Sequence, residues 1–195
     1  MGLRKWFRAD ALADRVESVP LAWLEQRGVC GLVIDLDNTL TAWNDNEIPA
    51  PVRSWVCTAK GRGFRICIVS NAHRGARVAA IAKELGVSYV STAWKPRRRG
   101  FRRAMALIGS GPASTAVIGD QLFTDVLGGN RVKALTVWVS PISRVEFITT
   151  QFVRRLERLL VRLARLPNPF EETKGERPCE QHFYPVEGDG KGECV

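Results

Sequence analysis

Short apolar runs alternate with longer amphipathic segments between residues 31 and 139, and this alternation restricts the fold more than any other feature of the 195-residue chain. Residues 31–36, 64–70, 88–91, 114–118 and 134–139 are rich in Val, Ile and aromatic side chains and are expected as strands. Residues 51–61, 74–85, 97–108 and 122–131 carry helical periodicity, and several of these segments end at glycine, as helix C-termini prefer. Strand and helix in strict alternation predict an α/β fold, with a parallel sheet flanked by helices on both faces. In such folds the ligand sits outside the C-terminal ends of the strands.

Two segments stand outside this pattern. Residues 146–166 set Phe152, Leu156, Leu159, Leu160, Leu163 and Leu166 along one helical stripe, with Arg154, Arg155, Arg158, Arg162 and Arg165 around the remainder. Packing of the leucines onto the domain is the first expectation, and a basic amphipathic helix lying in an anionic bilayer surface is the second. From Pro167 onward periodicity vanishes, and seven acidic residues face three Lys or Arg. The expected organisation is therefore one domain over 1–166, ending in the 146–166 helix, followed by a disordered acidic tail over 167–195.

The net charge is +9, and because the tail is acidic, residues 1–166 carry +13. Such a field concentrates anions: phosphorylated metabolites, nucleic acid or an anionic lipid surface. No apolar run reaches the roughly 18 residues of a membrane span. Arg8, Asp10 and Asp14 interrupt the start before a secretory signal can form. Five cysteines without a CxxC pair suggest neither a disulfide framework nor a zinc site. The expected location is the cytoplasm, with peripheral attachment at the inner face of the membrane as its membrane-bound form.

Asp35 and Asp37 stand where the first apolar run ends, two residues apart and hence on the same side of an extended chain. A solvated turn would explain such a pair by itself, but each later strand also ends in a polar group. Residues 64–69 lead into Ser70 and Asn71, the strand near Val90 into Lys95 and Pro96, and residues 116–118 into Gly119 and Asp120, with Asp125 five positions on. A parallel sheet would bring these ends to one crevice.

In this order, DxDxT, Ser-Asn, Lys-Pro and GDxxxxD, the chain resembles the haloacid dehalogenase superfamily over about residues 28–140. More closely, GLVIDLDNTLTAW, IVSNAHRGAR, KPRRRGF and VIGDQLFTDVLGGNR resemble the YqeG family, itself similar to mitochondrial phosphatidylglycerophosphate phosphatases. The resemblance implies a Rossmann-like fold and phosphatase activity, with Asp35 as the nucleophile and Asp37 as general acid and then base. It further implies that Ser70, Asn71 and Lys95 bind the phosphoryl group, and that Asp120, Asp35 and the Asp37 carbonyl hold Mg²⁺. Asp125 is implied as an outer or occasional ligand. Asn71 follows Asp37 by only 34 positions and Lys95 follows Asn71 by 24, so no cap domain fits.

The phosphorylated substrate implied by the resemblance is phosphatidylglycerophosphate. A soluble sugar or nucleotide phosphate is the alternative, and a non-catalytic RNA-, ribosome- or protein-binding regulator on the same fold is a third reading. KPRRRGFRR places six basic residues in nine; Arg102 and Arg103 are expected on a solvated helix face, whereas Arg97, Arg98 and Arg99 adjoin the site and suit anionic headgroups or a membrane surface. Nucleic acid fits less well, because Phe101 is the segment's one aromatic available for stacking on bases. The sequence carries no signal for an oligomeric state.

Overall fold

The computed structural model describes residues 3–72, 75–143 and 183–186. Its strands are β1 (Ala11–Ala13), β2 (Gly31–Ile34), β3 (Arg65–Val69), β4 (Ser88–Val90), β5 (Thr115–Gly119), β6 (Leu135–Val139) and β7 (Phe183–Pro185). The helices are α1 (Leu21–Glu25), α2 (Ala50–Gly61), α3 (Gly75–Leu85), α4 (Arg98–Leu107) and α5 (Leu127–Val132). They build one sheet in the order β4-β3-β2-β5-β6-β1-β7, parallel except for the β1–β7 pair. The α/β expectation holds. The chain runs from β2 to β3 and β4 on one side and returns to β5 on the other, so a crevice opens between β2 and β5 at their C-terminal ends.

Alternation along each strand divides the core into two layers. Leu32, Ile34, Ile66, Ile68, Ala116 and Ile118 face Val52, Val56, Val78 and Ile81 of α2 and α3. Val33, Cys67, Val69 and Val117 face Phe101, Ala104, Met105 and Ile108 at α4. Phe101, Leu32, Ile34, Ile68 and Ile118 are fully buried, and each contributes about 1.5–3 kcal/mol relative to exposure. On α4, Arg98, Arg99, Arg102 and Arg103 form the exposed face, so helical spacing alone separates the basic stripe from the core.

The structure corrects the sequence expectations in several places. β2 ends at Ile34 rather than residue 36, which leaves Asp35 beyond the strand at the crevice. Residues 122–131 do not form one regular helix: Leu122–Val126 make a π-helical turn that continues into α5. β1 was unforeseen, because Ala-Leu-Ala has no strand-like composition; Asp10 fixes it by accepting the Thr136 N–H at 2.8 Å and the Thr136 hydroxyl at 3.0 Å. Phe183–Pro185, in the tail, pairs antiparallel with β1 as β7 and covers that sheet edge. There Val186 N–H donates to the Asp10 carbonyl at 2.9 Å, and Phe183 meets the Trp23 ring edge-on at 4.8 Å. The 146–166 helix expectation lies outside the described residues.

No inserted domain interrupts the stretch from β2 to α2 or from β3 to α3. Among the described residues the crevice carries no cap, in keeping with the spacing of Asp37, Asn71 and Lys95.

Candidate active site

Asp35 follows β2 directly, and its N–H donates to the Ile118 carbonyl of β5 at 2.9 Å, which places it over the crevice. The chain then turns sharply. Asn38 adopts a left-handed φ of 64°, tolerated by asparagine, and its N–H donates to the Thr41 carbonyl at 2.7 Å. This turn holds Asp37 beside Asp35, where its Oδ1 accepts the Asn44 N–H at 3.1 Å and an Arg77 guanidinium N–H at 2.8 Å.

Beyond β3, Ser70 is buried and its hydroxyl accepts the Ala72 N–H at 3.0 Å. Asn71 brackets the Lys95 peptide: its Oδ1 accepts the Lys95 N–H at 2.7 Å, and its amide donates to the Lys95 carbonyl at 3.2 Å. The Asn71 side chain is thus occupied in holding Lys95. Gly100 lets α4 close over this loop, because a Cβ there would lie 2.5 Å from the Ala93 carbonyl oxygen.

The Lys95 ammonium donates to Asp35 Oδ1 and, at 2.7 Å, to Asp125 Oδ1. Asp35, Asp120 and Asp125 are all buried, with one oxygen of each lying within 4.8 Å of the others. The π-helical turn carries Asp125, so its side chain points back at β5, a use of such turns that recurs at functional sites. Asp120 is wholly buried, and Trp138 Nε1 donates to its backbone carbonyl at 2.9 Å.

Three ionised carboxylates and one ammonium leave two uncompensated negative charges in a buried cluster, which is costly without a counter-charge. Burial accordingly pushes the Asp35 carboxyl up to about 7 despite the pull of Lys95, and Asp125 adds to the rise. Burial also opposes the Lys95 charge, but the Asp125 and Asp35 carboxylates outweigh it and hold the ammonium above its ordinary range. A group of hard oxygen donors with this excess charge fits a divalent cation.

Gly119 makes the arrangement sterically possible, since a Cβ there would overlap the Asp125 carboxylate. Gly119→Ala should displace Asp125, lower stability by about 1–3 kcal/mol as overpacking does, and reduce activity. Thermal melts and kcat would check both effects together.

A family model described as haloacid dehalogenase-like hydrolase matches residues 50–133. "Probable phosphatase YqeG" of Bacillus subtilis is 34% identical over 159 residues, 82% of this chain and 92% of that protein. The chain belongs to the YqeG family of haloacid dehalogenase-like hydrolases. As a member of that family it is a phosphoric monoester hydrolase acting on a phosphorylated substrate. "Phosphatidylglycerophosphate phosphatase 1, chloroplastic/mitochondrial" of Arabidopsis thaliana is 33% identical over 149 residues, 71% of this chain and 42% of that protein. An uncharacterized protein from Listeria monocytogenes serotype 4b shares the fold, with a TM-score of 0.50 at 14% identity over 71% of this chain and all of that one.

Within this YqeG-family site, the structure brings Asp35, Asp37, Ser70, Asn71, Lys95, Asp120 and Asp125 to one end of the sheet. Arg97, Arg98 and Arg99 are exposed at the start of α4, and the Arg97 guanidinium lies 5.8 Å from the centre of the Trp94 ring. Arg77 and Trp138, which no sequence motif marks, both hold acidic site residues. Arg77 could have been found from its place in the first turn of α3, where a helix disfavours a cation unless an anion is near. Trp138 left no such signal, since it reads as an ordinary core residue of β6.

Proposed function

We propose that the chain is a capless, Mg²⁺-dependent phosphatase that works through an aspartyl-phosphate and acts on phosphatidylglycerophosphate. The observation that carries the mechanism is the buried Asp35, Asp120 and Asp125 cluster around Lys95 at the end of β2 and β5. Asp35 attacks phosphorus as the ester P–O bond breaks, and Asp37 gives its proton to the departing oxygen. Asp37 then takes a proton from water, whose oxygen attacks phosphorus and releases Asp35. Lys95 and Ser70 bind the phosphoryl oxygens, with Asn71 keeping Lys95 in place. Asp35, Asp120 and the Asp37 backbone carbonyl would hold the cation, with Asp125 behind them. When bound, Mg²⁺ neutralises phosphoryl charge at the nucleophile, and an oxygen-only donor set favours it over zinc.

The Arabidopsis relative supports the lipid substrate. The capless crevice supports it too, because a headgroup can enter without leaving its bilayer. Trp94 is 59% exposed and Trp43 is 39% exposed; each adjoins a residue that touches a site carboxylate, Lys95 and Asn44 respectively. The Trp94 indole, 5.8 Å from the Arg97 guanidinium, suits a headgroup layer. Among the described residues no helix is long and apolar enough to cross a membrane. We assign the domain to residues 1–166 and leave 167–195, β7 excepted, outside it.

A panel of phosphate esters tests the substrate, with phosphatidylglycerophosphate in mixed micelles assayed in Mg²⁺ and in EDTA. The lipid should be preferred, and preference for a soluble sugar or nucleotide phosphate would overturn the assignment. Replacing Arg97, Arg98 and Arg99 with Gln should weaken sedimentation with phosphatidylglycerol vesicles, each charge being worth roughly 1 kcal/mol near the surface. The same change should slow turnover of a vesicle-borne ester more than that of p-nitrophenyl phosphate, and salt should mimic it.

A further inference from the structure

Arg77 stands in the first turn of α3, and its guanidinium has three partners. It donates to Asp37 Oδ1 at 2.8 Å, to the Thr41 hydroxyl at 2.9 Å and, through Nε, to the Asp45 carbonyl at 3.1 Å. Its side chain is only 12% exposed, and that of Asp37 is 23% exposed. A cation in a helix's first turn opposes the helix dipole, so the position favours arginine only through what it holds. The planar fork supplies directed hydrogen bonds that a lysine ammonium would not reproduce. One side chain thereby ties α3 to both the Asp37 carboxylate and the loop that follows it.

We propose that Arg77 is a positioning residue for general acid–base catalysis: it fixes the Asp37 carboxyl by Oδ1 so that Oδ2 carries the transferable proton. Both described hydrogen bonds to the Asp37 side chain, from Arg77 and from the Asn44 N–H, fall on Oδ1. An oxygen that already accepts two N–H donors is a poor place for a proton. Oδ2 therefore delivers the proton to the ester oxygen as the P–O bond breaks and Asp35 bonds to phosphorus, and later takes one from the attacking water. This assignment rests on the reading of Asp37 as the acid and base.

Leaving groups separate positioning from a structural role. Nitrophenolate departs without a proton, whereas an alkoxide needs one, and a placed general acid is worth roughly 10²–10⁴-fold. Arg77→Gln should therefore lower kcat for a primary alkyl phosphate roughly 10-fold or more beyond its effect on p-nitrophenyl phosphate. Arg77→Lys, which keeps the charge and the stem, should recover part of that difference and serves as the folded comparison. In an Asp37→Asn background, Arg77→Gln should cost nothing further with p-nitrophenyl phosphate. Equal losses on both esters, a change confined to KM, or a further loss in the Asp37→Asn background would overturn the role of Arg77. Wild-type protein that hydrolyses neither ester would instead overturn the phosphatase mechanism itself.

Discussion

Asp35→Asn is expected to lower kcat for phosphate-ester hydrolysis by about three decades or more while making the metal-free protein more stable. The amide is nearly isosteric but cannot form the acyl-phosphate bond. The stability gain follows from the sign of the Asp35 shift. Burial, with Asp125 and Asp37 adding to it against the pull of Lys95, holds this carboxyl at about 7, against 3.8 ordinarily. The folded protein thus keeps a proton that the unfolded chain releases. Its contribution to stability is complete below the ordinary value and is lost as pH rises through about 7. The variant's higher melting temperature in EDTA should be largest above neutrality and vanish in acid. Added Mg²⁺ should narrow the gap by stabilising the wild type. Full activity in Asp35→Asn, or a melting temperature below wild type at alkaline pH, would contradict this account.

Asp120→Ala should produce the second large effect. It removes one of three carboxylates whose oxygens lie within 4.8 Å of one another, and a divalent ion held by so few ligands cannot spare one. The Mg²⁺ concentration for half-maximal activity should rise by roughly 10–100-fold, the scale seen when groups supporting a metal site are lost, or activity should vanish. Folding should survive, because Trp138 is held through the Asp120 backbone carbonyl rather than the side chain. Titration of activity with Mg²⁺ beside melting curves in EDTA would distinguish a lost ligand from a lost fold. An unchanged Mg²⁺ requirement would remove Asp120 from the cation site.

The sheet and the order of its site residues were legible because both rest on local pattern. Leu32, Val33 and Ile34 read as a buried strand by composition, and the polar residues at successive strand ends could converge only in a parallel sheet. What escaped depends on contacts distant in sequence. Ala11–Ala13 is a strand because Asp10 meets Thr136, 126 positions away. Phe183–Pro185 becomes one because that strand offers an open edge. The resemblance implied Asp125 as an outer or occasional ligand, and its bond from the Lys95 ammonium depends on a residue 30 positions away. Arg77 reaches Asp37 across 40 positions, a pairing that neither residue announces alone.

Trapping the covalent intermediate tests the central claim most directly. Asp37→Asn protein mixed with p-nitrophenyl phosphate should accumulate phosphoenzyme, since attack on an activated ester persists while hydrolysis of the acyl-phosphate slows. Borohydride reduction after an acid quench converts a phosphorylated aspartate to homoserine, which peptide mass spectrometry locates. Homoserine is expected at position 35. Homoserine at position 120 or 125, phosphate on a residue other than an aspartate, or turnover with no trapped intermediate under these conditions would contradict it.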